Sequence, residues 1–153
     1  MTLKYRFSEI ICTVFYIGKI PLAPGTCGSL AAFLCWFFIK PFISDPLFLL
    51  ITGFIFFIGI ACSEILVIAD SKKDPQYIVI DEWVGMWIGL YLVQHDFLWG
   101  LLAFFCFRIF DILKPGPIGE MDKMDGGIGV MMDDVVAGIL TCILMQSLYG
   151  YSL

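Results

Sequence analysis

Two pairs of adjacent carboxylates interrupt strongly apolar segments of the chain. Asp81 and Glu82 lie within IVIDEWVGMWIG, and Asp133 and Asp134 lie within GVMMDDVVAG. A single carboxylate is sufficient to cap a helix, so the second member of each pair requires another explanation. Negative charges at the end of a membrane helix are costly unless a cation or a metal ion pairs with them. The two pairs are therefore candidate metal ligands, and helix capping is the alternative.

A mixed group of charges follows in the segment FRIFDILKPGPI. Arg108, Asp111 and Lys114 are spaced three residues apart, which places them on one face of a helix. Such a group can form a ladder of ion pairs that lets the helix cross an interface, or it can offer cations to an anionic ligand. Pro115 and Pro117 predict that the helix stops here and presents Lys114 at its end.

The segment PLAPGTCGS, residues 21–29, combines two prolines, two glycines and two hydroxyl side chains. The prolines and glycines predict a defined turn, and Thr26 or Ser29 can cap the helix that follows. A helix start with hydroxyls and free backbone N–H groups also binds anions. The segment is therefore either a capped turn or an anion-binding turn.

Oxygen ligands of this kind suit Mg²⁺, which keeps some of its water and bridges to substrate phosphate. A zinc site is not expected, because the chain has one histidine, His95, and its six cysteines form no C-x-x-C pair. Bound Mg²⁺ can polarise a phosphoryl oxygen and lower the pKa of a bound water. The combination of these clusters predicts phosphate-ester hydrolysis.

Three other phosphatase mechanisms lack their residues in this sequence. No cysteine is followed by arginine at the spacing Cys-x5-Arg, and the D-x-D-x-T/V motif of aspartyl-phosphate enzymes is absent. A phosphohistidine mechanism is not expected, since His95 falls between two predicted membrane spans on the side away from the cationic clusters. Water activated by a metal ion remains as the preferred nucleophile.

The composition indicates which elements must position these residues. Of the 153 residues, 60% are hydrophobic and only 15% are charged, against about 25% charged in soluble domains. The mean hydropathy is +0.93. These values predict a single domain, residues 1–153, folded as an all-α, polytopic integral membrane bundle. The net charge of -5 and the lack of a long basic run argue against nucleic acid as a partner.

The apolar segments predict about four to five membrane helices and one N-terminal helix that is interfacial or packed. Residues 46–69 are the most lipid-like and are long enough to cross a bilayer, and residues 28–43 form a second span. The other segments are shorter or carry charges: 82–93, 97–113 and 133–149 as spans that depend on their neighbours, and 7–17 as the N-terminal helix. In this interpretation the last span begins at Asp133.

The positive charges predict the orientation in the membrane. Most lysine and arginine residues fall on one side of the predicted spans: Lys4, Arg6, Lys19, Lys72, Lys73, Lys114 and Lys123. Lys40 falls on the other side. The positive-inside rule then places residues 70–81 and 114–133 in the cytoplasm. The polar segments would all meet at the cytoplasmic face, as an active site at a membrane interface requires.

Four segments, in this order, resemble the phosphatidylglycerophosphatase A family of bacterial membrane enzymes. They are APGTCGSL (23–30), IVIDEWVGMW (78–87), FRIFDILKPGPI (107–118) and GGIGVMMDDVVAG (126–138). Each segment alone is a weak signal, but the four together are specific. The resemblance implies a Mg²⁺-dependent enzyme of the bacterial cytoplasmic membrane. It would hydrolyse phosphatidylglycerophosphate to phosphatidylglycerol and inorganic phosphate, with its active site facing the cytoplasm.

The same resemblance implies roles for individual residues. The catalytic residues would be Asp81, Glu82, Asp111, Lys114 and Asp134. The metal ligands would come from Asp81, Glu82, Asp133 and Asp134. The substrate contacts would be Thr26, Ser29, Arg108 and Lys114. Which carboxylate binds the metal ion and which accepts a proton stays open, as does the oligomeric state.

Three other classes of membrane protein also use acidic residues in or near the bilayer. A transporter predicts carboxylates at mid-span on several helices, whereas here only Glu64 and Arg108 lie deep among the charged residues. A CDP-alcohol phosphotransferase requires further spaced aspartates after the Asp-Gly at 125–126, and these do not follow. An intramembrane aspartyl protease requires Gly-x-Gly-Asp, but Val130 follows the Gly-Ile-Gly at 127–129.

Overall fold

The computed structural model describes residues 2–73 and 75–150, and these fold into helices joined by turns, with no strand among them. The α-helices of this part are α1 (Leu3–Cys12), α2 (Pro24–Ile39), α3 (Asp45–Asp70), α4 (Ile80–Gly89), α5 (Phe97–Leu113), α6 (Pro117–Met121) and α7 (Gly126–Gly150). Short 3-10 turns follow α1 and α2, at Ile17–Lys19 and Lys40–Phe42. The prediction of an all-α fold is confirmed.

Three helices of the described chain are long and apolar enough to cross a membrane. They are α2 with its 3-10 extension (Pro24–Phe42), α3 (Asp45–Asp70) and most of α7 (Gly126–Tyr149). The segment predicted as a span at 82–93 is α4, whose ten residues measure about 15 Å, half the thickness of a hydrocarbon core. The predicted count of four to five spans is therefore not confirmed.

Helix α4 lies at the centre of the bundle, and it packs most closely against α7 through glycine. A Cβ atom added to Gly138 would lie 2.2 Å from the carbonyl oxygen of Gly85, and one added to Gly85 would lie 2.4 Å from that of Asp134. Small residues at a crossing let two helix backbones approach to contact. Asp81 precedes Gly85 by one turn, and Asp134 precedes Gly138 by one turn. The crossing therefore brings both carboxylate pairs to the same end of the bundle.

Helix α7 begins seven residues earlier than the sequence predicts. It starts at Gly126, and the Gly127 N–H donates to Oε2 of Glu64 on α3 at 2.5 Å. A Cβ atom on Gly127 would lie 2.2 Å from the Ile60 carbonyl oxygen, so glycine is needed for this contact too. The start predicted at Asp133 is wrong because Glu64 caps the helix from a neighbouring element. Asp133 lies about two turns inside the helix and cannot cap it.

The N-terminal helix was predicted over residues 7–17, and the structure places α1 at Leu3–Cys12. It packs against α3, where the Tyr5 hydroxyl donates to Oδ1 of Asp70 at 3.1 Å. The backbone then turns through left-handed conformations at residues 14–16, which end the helix. The Val79 N–H donates to the Cys12 carbonyl oxygen at 2.8 Å. This bond ties the end of α1 to the residue just before α4.

Candidate active site

A cleft of about 530 Å³ opens where α2 and α4 begin and α5 ends. Eight of the predicted site residues line it: Thr26, Asp81, Glu82, Arg108, Asp111, Lys114, Asp133 and Asp134. They come from four helices that are far apart in sequence. The structure therefore brings together the four polar segments that sequence analysis singled out.

Three carboxylates form the centre of the cleft. Asp81, Glu82 and Asp134 each offer one oxygen, and these oxygens lie within 4.8 Å of one another. Asp81 also accepts a bond from the Glu82 N–H at 3.0 Å, which fixes the start of α4. A set of converging oxygen donors at this separation fits a hard divalent cation such as Mg²⁺.

Several carboxylate oxygens in this cluster have no hydrogen-bond partner among the described residues. They are buried atoms: Oε2 of Glu82, Oδ1 of Asp133 and Oδ1 of Asp134. Burial raises the pKa of Glu82 to about 7, and the charge of Asp111 acts in the same direction. Buried carboxylates that lack donors are unfavourable by themselves, so the cluster requires a positive charge or bound protons. This chemistry fits the metal ion implied by the sequence.

Lys114 does not join the ladder of ion pairs that is one of the two interpretations of its spacing. It ends α5 in a left-handed conformation, with φ of 44°, so its side chain leaves the face shared by Arg108 and Asp111. Its Nζ donates to Oδ1 of Asp122 and, at 2.8 Å, to Oδ2 of Asp133. Partial burial lowers the pKa of Lys114, but these two carboxylates raise it by more, so the ammonium stays charged. Of the two alternatives that the spacing leaves open, the ladder therefore extends only from Arg108 to Asp111.

Arg108 is held in the cleft by two partners. Its Nη1 donates to Oδ2 of Asp111 at 2.5 Å, which confirms the predicted pair at i and i+3, and to Oγ of Ser29 at 3.3 Å. Ser29 in turn donates to the Gly25 carbonyl oxygen at 2.8 Å. Ser29 is fully buried and does not line the cleft. In this structure its hydroxyl supports Arg108 instead of facing a substrate.

The first turn of α2 also lines the cleft. Its N-cap is Ala23, with φ of 49° and no side-chain cap, so neither Thr26 nor Ser29 caps this helix as the sequence suggested. A Cβ atom on Gly25 would lie 2.1 Å from Oε1 of Glu82. Glycine at this position therefore leaves room for the Glu82 carboxylate beside the first turn of α2. The backbone N–H groups of this turn have no partner within the helix and favour an anion nearby.

Sequence reasoning missed the glycines that hold the site together. Gly85 and Gly138 were not singled out, although each follows a site carboxylate by four residues. That spacing puts each glycine on the same helical face as the carboxylate, one turn further on. Gly25 was noted only as part of a turn. A glycine one turn from a candidate ligand was the signal that could have identified a close helix crossing.

Comparison with known proteins decides the family. The family model described as phosphatidylglycerophosphatase A matches residues 10–149 of the chain, which include every residue of the cleft. The chain belongs to this family. Membership makes it a phosphoric monoester hydrolase acting in lipid metabolism.

Individual relatives agree with this assignment along most of the chain. Phosphatidylglycerophosphatase A of Escherichia coli is 37% identical over 135 residues, which cover 87% of this chain and 78% of the relative. Phosphatidylglycerophosphatase A of Haemophilus influenzae is 35% identical over 147 residues, covering 95% and 90%. A protein of Bacteroides thetaiotaomicron with the provisional name phosphatidylinositol-3-phosphatase is 40% identical over 147 residues, covering 89% of each chain. No solved structure shows a significant match.

Proposed function

We propose that this member of the phosphatidylglycerophosphatase A family hydrolyses phosphatidylglycerophosphate to phosphatidylglycerol and inorganic phosphate, and that it requires Mg²⁺. The observation that carries the Mg²⁺ requirement is the convergence of oxygens from Asp81, Glu82 and Asp134 within 4.8 Å of one another, far more negative charge than the cleft's own cations offset. Family membership supports the lipid phosphate as substrate.

The metal ion would be held by Asp81, Glu82 and Asp134, with Asp133 beside them. When bound, it would polarise a phosphoryl oxygen and lower the pKa of the attacking water. Asp133 shares its Oδ2 with Lys114, so its other oxygen is the one left to face the cluster. Whichever carboxylate of the cluster is not engaged as a ligand can accept the proton of the attacking water.

The terminal phosphoryl group would lie between the cationic side chains and the first turn of α2. Arg108 is fixed by Asp111 and Ser29, so its guanidinium is oriented before substrate arrives. Lys114, held by Asp133, supplies a second positive charge in the cleft. Fixed donors of this kind stabilise the charge that develops on phosphoryl oxygens in the transition state. Thr26 adds a hydroxyl at the cleft wall.

The cleft would face the cytoplasm of a bacterium, at the inner membrane. Candidate membrane helices are present in α2, α3 and α7. Lysines lie at the end of the bundle where the cleft opens: Lys114 lines the cleft, and Lys73 donates to the carbonyl oxygen of Lys123 just before α7 begins. By the positive-inside rule this end is cytoplasmic. The acyl chains could then stay in the bilayer while only the head group enters the cleft.

The relative from Bacteroides thetaiotaomicron favours a broader substrate class as the second candidate. Its provisional name, phosphatidylinositol-3-phosphatase, refers to another lipid whose polyol head group carries a phosphate monoester. Both lipids present the same reacting group on a phosphatidyl polyol. Assays with the two lipids side by side would rank them for this chain.

The decisive test measures phosphate release from phosphatidylglycerophosphate by the purified chain in detergent, with and without Mg²⁺. We expect release that depends on Mg²⁺ and that falls at least about 100-fold in the Asp134→Asn variant, because a central charge of the site is lost. The matched control is Asp125→Asn, whose side chain is 90% exposed and lies outside the cleft. Release without Mg²⁺, or full activity of Asp134→Asn, would contradict the proposal.

A further inference from the structure

A second cavity, of about 770 Å³, adjoins the cleft and has the opposite charge. The two share part of their walls, since Pro21, Pro24 and Gln76 line both. The lining of the second cavity contains Lys19 and Lys72 and no carboxylate. We call it the basic cavity. Its position and charge suit an anion bound next to the phosphoryl group.

Lys72 is the lysine whose charge is available. Lys19 donates to Oε1 of Glu9 at 2.6 Å, so much of its charge is already compensated. Lys72 is exposed and forms no ion pair with another described residue. Gln76 and Tyr77 also line the cavity. Of the two lysines of the basic cavity, Lys72 is therefore the one whose charge no described carboxylate pairs with.

Exposed apolar residues flank the basic cavity. Ile20 lines the cavity and is 42% exposed. Leu22 and Phe15, in the same segment between α1 and α2, are 80% and 81% exposed. Large apolar side chains exposed in the chain segment between α1 and α2 fit contact with the acyl region of a membrane. A lipid could keep its tails beside these residues while its head group reaches into the basic cavity.

The chemistry of the substrate supplies a matching anion. This step rests on the proposed function. Phosphatidylglycerophosphate carries a terminal phosphate monoester and also a phosphodiester that links its glycerol to diacylglycerol. With the monoester in the cleft, the phosphodiester lies one glycerol away, towards the lipid tails. The carboxylates of the cleft would repel it, whereas the basic cavity next to them would attract it.

We propose that the basic cavity is a phosphodiester subsite in which Lys72, assisted by Lys19, binds the second phosphate of the lipid head group. The subsite selects phosphatidyl-polyol phosphates over lipid monoesters that lack the phosphodiester. It makes Lys72 a specificity-determining residue whose effect is on substrate binding and not on the chemical step.

The test compares two substrates in neutral detergent: phosphatidylglycerophosphate and phosphatidate with the same acyl chains, which has no phosphodiester. In Lys72→Gln we expect KM for phosphatidylglycerophosphate to rise about 5- to 20-fold, as for loss of one partly exposed charged hydrogen bond. We expect kcat, and KM for phosphatidate, to change less than about twofold. The matched control is Lys4→Gln, which removes one exposed charge on α1 at the same end of the bundle.

A binding measurement tests the subsite without catalysis. Short-chain phosphatidylglycerol, which has the phosphodiester but no monoester, is titrated into the detergent-solubilised full chain by calorimetry. Weaker binding to Lys72→Gln than to wild type and Lys4→Gln supports the subsite, even if wild type releases no phosphate and the proposed function fails.

Two outcomes would overturn the subsite while leaving the phosphatase activity intact. One is an unchanged KM for phosphatidylglycerophosphate together with unchanged affinity for phosphatidylglycerol in Lys72→Gln. The other is an equal rise in KM for both substrates, because this would mean that Lys72 attracts anionic lipid in general, or a separate bystander lipid, and does not bind the phosphodiester of the substrate.

Discussion

The cleft and the basic cavity are neighbours of similar size that are built in different ways. The cleft is formed by four helices, and its carboxylates are fixed by backbone contact between α4 and α7 at Gly85 and Gly138. The basic cavity is formed by residues 18–21 and 24 and by residues 72 and 75–77, and its lysines are exposed. Chemistry at a phosphoryl group requires ligands held to a fraction of an ångström, whereas a flexible head group can be held by mobile side chains.

The charges of the two regions also differ in how much they lower the stability of the protein before any ligand binds. The cleft gathers five carboxylates against two cations, and several of its oxygens are buried without donors among the described residues. The lysines of the basic cavity remain in contact with water, so they cost little before substrate binds. The buried carboxylates of the cleft therefore lower the stability of the free protein, and the proposed metal ion would restore it. The exposed lysines of the basic cavity have no such effect.

The largest effect is expected from separating α4 and α7. In Gly138→Ala the new Cβ atom would lie 2.2 Å from the Gly85 carbonyl oxygen, so the helices must move apart. Activity should fall about 100-fold, because a displacement of about 1 Å in a catalytic group can cost this much. The control is Gly53→Ala on α3, where an added Cβ meets no atom within 4 Å. Wild-type activity in Gly138→Ala would show that the close crossing of α4 and α7 does not determine the positions of the catalytic carboxylates.

An intermediate effect is expected on stability as pH changes. Because burial raises the pKa of Glu82 from 4.5 to about 7, the folded chain binds more protons than the unfolded chain between these values. The free energy of unfolding of the metal-free chain should therefore fall as pH rises from about 4.5 to about 7. Glu82→Gln should remove this loss and melt a few degrees higher than wild type at pH 8 in EDTA.

Thermal unfolding in detergent with and without Mg²⁺ completes this measurement. Mg²⁺ should raise the melting temperature of wild type at pH 8 and leave Glu82→Gln nearly unchanged. Glu120→Gln, on the exposed surface of α6, is the control and should behave as wild type. If Glu82→Gln is less stable than wild type in EDTA at pH 8, the excess of negative charge in the cleft is not what mainly lowers the stability of the metal-free protein.

The smallest effect is expected from the support of Arg108. Ser29→Ala removes a hydroxyl that accepts from Nη1 of Arg108 at 3.3 Å, so kcat should fall about fivefold, as for one lost hydrogen bond. KM should change less, in contrast to Lys72→Gln, which should act on KM. Ser63→Ala, a buried serine on α3 outside the cleft, is the control. A fall of the same size in both serine variants would indicate a general packing effect.

Sequence reasoning was most accurate where the signal is local. The sequence predicts a helix over residues 46–69, and α3 spans Asp45–Asp70. In a membrane, the backbone N–H and C=O groups of a long apolar segment find hydrogen-bond partners only within a helix. The pair of Arg108 and Asp111 was also predicted from their spacing, since positions i and i+3 of a helix are neighbours. These features depend on the periodicity of one helix.

The errors concern residues whose partners are distant in sequence. Sequence analysis left the partners of Lys114 open, and the structure pairs it with Asp122 and Asp133. Helix α7 starts early because Glu64 on α3 caps it. Ser29 turns out to be buried behind Arg108. In each case a contact between two elements determines the position of the residue or the start of the helix. The local sequence pattern does not indicate such a contact.

The sequence by itself determined the membrane character, the helical class, the family and the set of carboxylates and cations that form the cleft. These follow from composition, from helical periodicity and from four short segments. The tertiary structure alone decided which oxygens converge, which cation each carboxylate contacts, and that a basic cavity adjoins the cleft. The physical reason is that convergence depends on how closely helix backbones approach, and this is set by pairs of glycines such as Gly85 and Gly138 on different helices.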